Sequence, residues 1–374
     1  MLAKFSVENY RSFNEEIVID FENVRDYKYN LDSLTNGLLG KILIYGKNAS
    51  GKSNLGFALF DIVSLLTDKK NFFTDDLTFL NADSKKDVAT FTYVLKKNGD
   101  YISYMYKKKN FNSLIFESLK VNDQLIYSYD FVKKKGDLNY LDVLDAGNLN
   151  FDYFENNLPI LRYIAYNTPQ KEDSIVRFVM DFVSRMLWFR RVNSNEYIGY
   201  TTGSENLEEW IINNNEVELF ETFMKEIGDI NLDLEVATAN APGMPEKILI
   251  EKHKNKPLIF SNVSSSGTKA LELFYYWKKN FENVTFLFMD EFDAYYHQDL
   301  AMNIIKDVKK YKNLQAIFTT HNSSLANNSI SRPDCCFMLE NGKLTSFADS
   351  TKRELREGHN IEKLLRSGEF NEKS

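Results

Sequence analysis

One stretch constrains this chain more than any other: Lys41 to Asn54, KILIYGKNASGKSN. A short apolar run of strand character, Ile42 to Tyr45, leads into Gly46-Lys47-Asn48-Ala49-Ser50-Gly51-Lys52-Ser53, which matches G-x-x-x-x-G-K-S. In such a loop Gly46 and Gly51 let the backbone curl until successive N–H groups point inward at phosphate oxygens. Lys52 can then reach the β- and γ-phosphates, and the Ser53 hydroxyl can ligate Mg²⁺. Asn54 follows, and Leu55, Leu59, Ile62, Val63 and Leu66 recur at helical spacing. A helix is therefore expected from about Gly51 to Thr67, with its N-terminal dipole beneath the phosphates. By average composition the eight-residue pattern arises by accident in roughly one chain in a hundred of this size. The strand before it and the amphipathic helix after it make that accident far rarer. The stretch implies a bound nucleotide.

With 374 residues the chain suits one large α/β domain with an insertion, or two domains. Its 43% hydrophobic and 26% charged content are those of a soluble globular protein. No apolar run approaches the roughly 18–20 residues of a membrane span, and MLAKFSVENY lacks the apolar core of a secretory signal. The only cysteines, Cys335 and Cys336, are adjacent in an apolar run and read as buried thiols in a reducing compartment. A cytoplasmic location without membrane partners is the expectation. With 4 histidines no zinc spacing occurs. The net charge of −7 argues against a protein that coats nucleic acid, while leaving room for a local basic patch.

Residues Lys4 to Phe21 alternate as two strands around Asn9-Tyr10-Arg11-Ser12-Phe13, and Asp26 to Gly40 reads as loop. From Val88 the segments ATFTYVL, YISYMYK and SLIFESLKVN read as strands, with Asn98-Gly99-Asp100 as a hairpin turn. Lysine runs at 96–97, 107–109 and 133–135 fall at their ends. Lysine blunts exposed sheet edges; the sharper alternative is a basic rim that touches nucleic acid or a partner. Leu161 to Tyr166 looks like a buried strand, and Glu172 to Val192 and Glu205 to Ile227 like helices whose aromatic stripes serve a core. Ala237 to Pro245 reads as a loop.

The second half supplies complementary groups. The apolar run from Thr285 ends in Asp290-Glu291. Beside a P-loop, such a pair suits a Mg²⁺-holding carboxylate, Asp290, and a general base for the attacking water, Glu291. A further strand, Leu314 to Thr319, ends at Thr320-His321, and a histidine there can hydrogen-bond the γ-phosphate. Ser264-Ser265-Ser266-Gly267-Thr268 opens an amphipathic helix, a second anion-binding turn that can complete the ATP site of another subunit.

In this order GKNASGKS, SSSGT, FLFMDEFD and FTTHNSSL resemble the motifs of ABC-type ATPases, and more closely the SMC/RecF/OLD branch of AAA-type ATPases. FSVENYRSF and REGHNIEKLLRSGEF are similar to segments of stand-alone, RloA-like or abortive-infection ATPases of bacterial phage defence. The resemblance implies an α/β fold: an ABC-type head with an antiparallel β subdomain and a helical insertion. The division read from it places the first part of the ATPase lobe at 1–150 and the insertion at 151–245. The second part of the lobe follows at 246–350, and a tail at 351–374.

It further implies ATP and Mg²⁺ as ligands and head-to-tail dimers in which Ser265 and Gly267 of one subunit cap ATP on the other's P-loop. Arg11 matches a basic position of the family's N-terminal motif, and Gln170 lies where a Q-loop glutamine is expected. The signature departs from LSGGQ, which bears on the capping geometry.

Three functions follow. The first is a sensor or regulatory ATPase of phage defence that controls a separate effector, since the 374 − 321 = 53 residues after His321 cannot hold a nuclease domain. The second is a RecF-like DNA-maintenance ATPase, without the heptads of a coiled-coil arm. The third, a transporter ATPase subunit, fits the lysine-bearing strands poorly.

Overall fold

The structure is a computed structural model and describes residues 1–69, 78–151, 158–191, 196–199, 206–238 and 247–371. Its frame is two seven-stranded sheets with the P-loop helix, Lys52–Leu66, between them. That helix is apolar nearly all round, as a helix enclosed on both sides must be.

The central sheet runs Glu196–Gly199, Met186–Arg191, Phe286–Met289, Gln315–Thr320, Lys41–Tyr45, Cys336–Glu340, Lys343–Ser346. Its five inner strands are parallel, with antiparallel edge strands. Strands covered on both faces are continuously apolar, and alternate residues enter opposite cores. Ile42, Ile44, Trp188, Phe286 and Phe288 face the P-loop helix, whereas Leu43, Tyr45, Leu187, Leu287 and Met289 face the helices beyond. Those outer helices include Val217–Gly228, Ser266–Lys278 and Gln298–Lys309. The sheet is thus the middle of a layered α/β molecule. A three-stranded antiparallel sheet, Leu234–Thr238, Lys247–Glu251 and Leu258–Ile259, lies beside the signature turn in sequence.

The other large sheet is wholly antiparallel, from Lys135–Asp137 through Gln124–Asp130, Ser113–Val121, Asp100–Asn110, Ala89–Lys97 and Leu2–Glu8 to Ile17–Asp20. Period-two alternation puts Ile102, Tyr104, Tyr106 and Lys108 on the buried face of one strand. Lys108 therefore does not behave as a solvated strand end. Its ammonium pairs with Asp61 of the P-loop helix at 2.8 and 3.0 Å, and the Tyr106 hydroxyl donates to the same carboxylate at 2.9 Å. The buried charge is tolerable because it is paired and hydrogen-bonded. Where the two sheets approach directly, Gln315 accepts from the Leu2 N–H at 2.7 Å and donates to the Leu2 carbonyl at 2.9 Å.

Four expectations about the 151–245 segment change. Ile160–Asn167 is a helix, not a strand. It starts behind Pro159, and its first N–H groups, of Ile160 and Leu161, donate to the buried Glu117 carboxylate at 2.7 and 3.1 Å. That capping carboxylate comes from the opposite sheet, so no local signal announces it. The helix expected over Glu172 to Val192 is Ile175–Ser184 followed by strand Met186–Arg191. The helix expected over Glu205 to Ile227 divides into Leu207–Asn213 and Val217–Gly228. In the second of these, Leu219 is 55% exposed. Ala237 and Thr238 belong to a strand, and the rest of the loop expected to Pro245 lies outside the described residues.

Candidate functional site

Lys41–Tyr45 delivers the loop to the end of the central sheet, where the following strands also end. Gly51, at φ 104°, holds a left-handed conformation that glycine adopts without strain. At Gly46 a Cβ would meet the Ser50 Oγ at 2.4 Å and the Leu339 carbonyl at 2.9 Å, so the loop closes there only without a side chain. Ala49 also has positive φ, at 64°. The Ser50 hydroxyl is buried without a hydrogen-bond partner. Lys52, 4% exposed, folds over the loop and donates to the carbonyls of Gly46 and Lys47 at 2.8 and 3.0 Å. Burial lowers its pKa, against the opposing pull of Glu291, Asp290 and Asp293. These are the features of an anion cradle: a buried cation, a free hydroxyl and a loop closed by glycine.

Asp290 follows the acidic strand Phe286–Met289, which is separated from the P-loop strand by Gln315–Thr320. Burial raises the Asp290 pKa, while hydrogen bonds from Ser53 and Thr319 pull it down. The intervening strand organises the carboxylates. The Thr319 hydroxyl donates to Asp290 Oδ1 at 2.7 Å and accepts from the Glu291 N–H at 2.8 Å. Thr320 donates to Asp293 Oδ2 at 2.8 Å and accepts from the Asn322 N–H at 2.9 Å. Glu291 has φ 43°, an uncommon conformation for a non-glycine residue, and its side chain is exposed at the strand tip. Asp293 is also raised in pKa, by burial first. Neither threonine carries a role in the sequence reading. The signal was their position in the strand neighbouring both motifs.

A cleft of 760 Å³ opens over the loop, lined by Gly46, Lys47, Asn48, Ala49 and Ser50 together with Ser12 and His321. The N-terminal turn reaches the same place. Asn54 donates to the Ser12 Oγ at 2.9 Å, and a Cβ on Gly51 would meet that oxygen at 2.7 Å. Arg11 stands next to it, its guanidinium 4.5 Å from the Phe57 ring of the first P-loop helix turns, with Nε donating to the Tyr10 hydroxyl at 3.1 Å.

Ser265 caps helix Ser266–Lys278, accepting from the Thr268 N–H at 3.1 Å. A Cβ on Gly267 would lie 3.0 Å from the Tyr295 carbonyl. The helix they open packs on the face of the central sheet opposite the P-loop helix. Gln170 is placed elsewhere. Its carbonyl accepts from Ser174 at 2.6 Å, and it lines a separate pocket with Thr67, Asp68 and Lys69, past the far end of the P-loop helix. Fifteen helical residues put that end about 22 Å from the loop. The glutamine expected near the phosphates is not brought to them.

For a magnesium ion the donors are right in kind: a hydroxyl, Ser53, hydrogen-bonded to a carboxylate, Asp290. Mg²⁺ takes oxygen ligands, with one or two carboxylates and the substrate phosphates. Among the described residues no group of three or more His, Cys, Asp or Glu is arranged to hold a metal, and phosphate oxygens and water would fill the remaining positions around Ser53 and Asp290.

The geometry defines a P-loop ATPase head. Residues 42–327 match the family model described as "AAA domain, putative AbiEii toxin, Type IV TA system". The chain belongs to this family of AAA ATPases, and ATP binding and hydrolysis are its general activity. No curated protein matches it. Among solved structures it is similar to an SMC head bound to the C-terminal winged-helix domain of ScpA, at 16% identity and TM-score 0.46, covering 92% of this chain and 97% of that one. The SMC head domain of Thermotoga maritima gives 15% and 0.45, with 92% and 97% covered. The recombination mediator RecF with ATP gives 16% and 0.41, with 92% and 99% covered. These distant likenesses of shape say nothing about activity.

Proposed function

We propose that the chain is the ATP-dependent regulatory subunit of a bacterial anti-phage, abortive-infection system, working as a head-to-tail dimer that controls a separate effector. The observation that carries the dimer is the separation of parts. P-loop, Asp290, Glu291 and His321 gather at one end of the central sheet, while Ser265 and Gly267 open helix Ser266–Lys278, which packs on the face of that sheet opposite the P-loop helix. A second copy facing the first would supply them. In this reading Lys52 and the N–H groups of residues 46–54 hold the phosphates, and His321 hydrogen-bonds the γ-phosphate. Ser53 and Asp290 hold Mg²⁺, which when bound neutralises phosphate charge. Glu291 accepts the proton of the attacking water. Arg11 stands behind the loop as a supporting cation. The link to defence rests on the family's description as part of a toxin–antitoxin system.

The RecF-like alternative needs free basic surface. Of the lysine runs, Lys108 is buried against Asp61 and out of reach of a duplex, while Lys96 and Lys133 hold only solvent-accessible partners that phosphate could displace.

Lys52→Ala is expected to abolish ATP binding, measured by calorimetry. Glu291→Gln is expected to bind ATP, stop turnover and elute as a dimer in gel filtration. Normal hydrolysis by Glu291→Gln would overturn the general base. In cells carrying the chain with its neighbouring gene, phage plating should fall, and Lys52→Ala should restore it. Unchanged plating would overturn the defence role, and ATP-dependent, salt-sensitive duplex binding would then favour DNA maintenance.

A further inference from the structure

The cleft over the P-loop has a wall to which the motifs assign no role: the segment around helix Ile361–Arg366. Helix Ile361–Arg366 and the turn after it place Leu365, Arg366, Ser367 and Gly368 on the same cleft as Gly46–Ser50 and His321. The helix is docked beside the histidine, because Arg366 Nε donates to the Ser323 Oγ at 3.0 Å, two residues past His321. Among the residues lining the cleft the permanent cations are Lys47 and Arg366. Lys47 is 86% exposed and 3.8 Å from Glu340. Arg366 is the better placed of the two, on a helix that holds its backbone at the cleft.

We propose that Arg366 is a nucleotide-contacting residue whose guanidinium binds the polyphosphate of ATP held on the P-loop. The proposal rests on the nucleotide reading of that loop. A polyphosphate carries several negative charges, and arginine's planar fork suits phosphate oxygens. Its present partner is a weak competitor. Glu362, one helical turn back, accepts from Arg366 at 2.7 Å, with the two side chains 32% and 65% exposed. An exposed i,i+4 pair of this kind is easily given up. On binding, the guanidinium would exchange Glu362 for phosphate, so the chain's last helix would register whether the loop is filled.

The test compares ATP affinity by calorimetry in the full chain and its variants. Arg366→Ala should weaken ATP binding about tenfold or more, the loss expected for one charge-assisted contact. Arg366→Lys should recover part of it. Glu362→Gln should tighten binding, since it removes the competitor for the guanidinium. Opposite directions for the Arg366 and Glu362 variants distinguish phosphate contact from a structural ion pair, whose loss would weaken both. The melting temperature without nucleotide should be nearly equal in all of them, while the ATP-induced rise should shrink in Arg366→Ala. If wild type binds ATP, Lys52→Ala does not and Arg366→Ala binds like wild type, the arginine proposal falls and the P-loop reading stands. If wild type fails to bind ATP, both fall.

Discussion

Thr319 shows how much a single side chain decides here. Its hydroxyl is the only link described between Asp290 Oδ1 and the Glu291 N–H, at 2.7 and 2.8 Å. Thr319→Val keeps the shape and the β-branch but leaves the Glu291 N–H without its acceptor and Asp290 with Ser53 as its remaining hydroxyl donor. The loss should be about 2 kcal/mol of stability. Hydrolysis should fall about 10- to 100-fold, as for other groups that orient a ligand without touching substrate. Steady-state turnover and a denaturant melt measure the two, and unchanged turnover would remove Thr319 from the site's support. Glu272 is a second case, on the buried side of helix Ser266–Lys278. Burial, aided by the nearby Glu208 and opposed by Lys269, raises its pKa to about 8, and its Oε1 has no hydrogen-bond partner. Because the folded pKa lies above the ordinary 4.5, the native state holds a proton that the unfolded chain releases. Stability contributed by this group is therefore full below about pH 4.5 and declines as pH rises through about 8. Glu272→Gln should raise the melting temperature at pH 8 by about 1–2 °C per kcal/mol recovered, with little effect at pH 4.5. An equal shift at both pH values would count against a protonated Glu272.

At the scale of elements, what could be read from the chain depended on how local its cause is. The P-loop helix, the acidic strand and the alternating strands from Ala89 to Val121 were legible because each carries its own periodicity or motif. Helix Ile160–Asn167 was not. Six apolar or aromatic residues in a short run fit either a strand or a helix, and the deciding cap, Glu117, lies 43 residues away in sequence. Strand Met186–Arg191 was hidden for the complementary reason. As an inner strand of a parallel sheet it is apolar on both faces, so it continues the apolar pattern of helix Ile175–Ser184 without a break in composition. One missed boundary did have a signal. Asn213-Asn214-Asn215 interrupts the Glu205–Ile227 pattern, and Asn215 takes a left-handed φ of 55°, a conformation asparagine tolerates at helix ends. The candidate site divides along the same line. Lys52, Ser53, Asp290 and His321 take their roles from their motifs, whereas Ser12, Thr320 and Arg366 lie in segments that gave them no role, and only the fold brings them to the site.

For the whole molecule the open consequence is the composite site. If Ser265 serves the partner's P-loop, two differently damaged subunits should repair each other. Ser265→Asp is the informative lesion. Aspartate caps a helix as well as serine does, so helix Ser266–Lys278 keeps the bond now made to the Thr268 N–H. The added carboxylate, however, would face the partner's polyphosphate and repel it. Lys52→Ala damages the other half. Each variant alone has no intact composite site in a twofold dimer. Mixed in equal amounts and allowed to exchange, half of the dimers carry one lesion on each chain. One of their two sites then joins a wild-type P-loop to a wild-type signature. Activity should return to about a quarter of the wild-type value, provided the two sites work independently. Steady-state ATP hydrolysis of the mixture against each variant measures it. A mixture no more active than its parts would mean that Ser265 does not act across a dimer, or that both sites must be filled together. A trapping experiment separates those outcomes. In the same mixture made also with Glu291→Gln on both chains, an independent composite site retains one ATP per mixed dimer, whereas a site that needs no partner retains ATP on the Ser265→Asp chain even as a monomer.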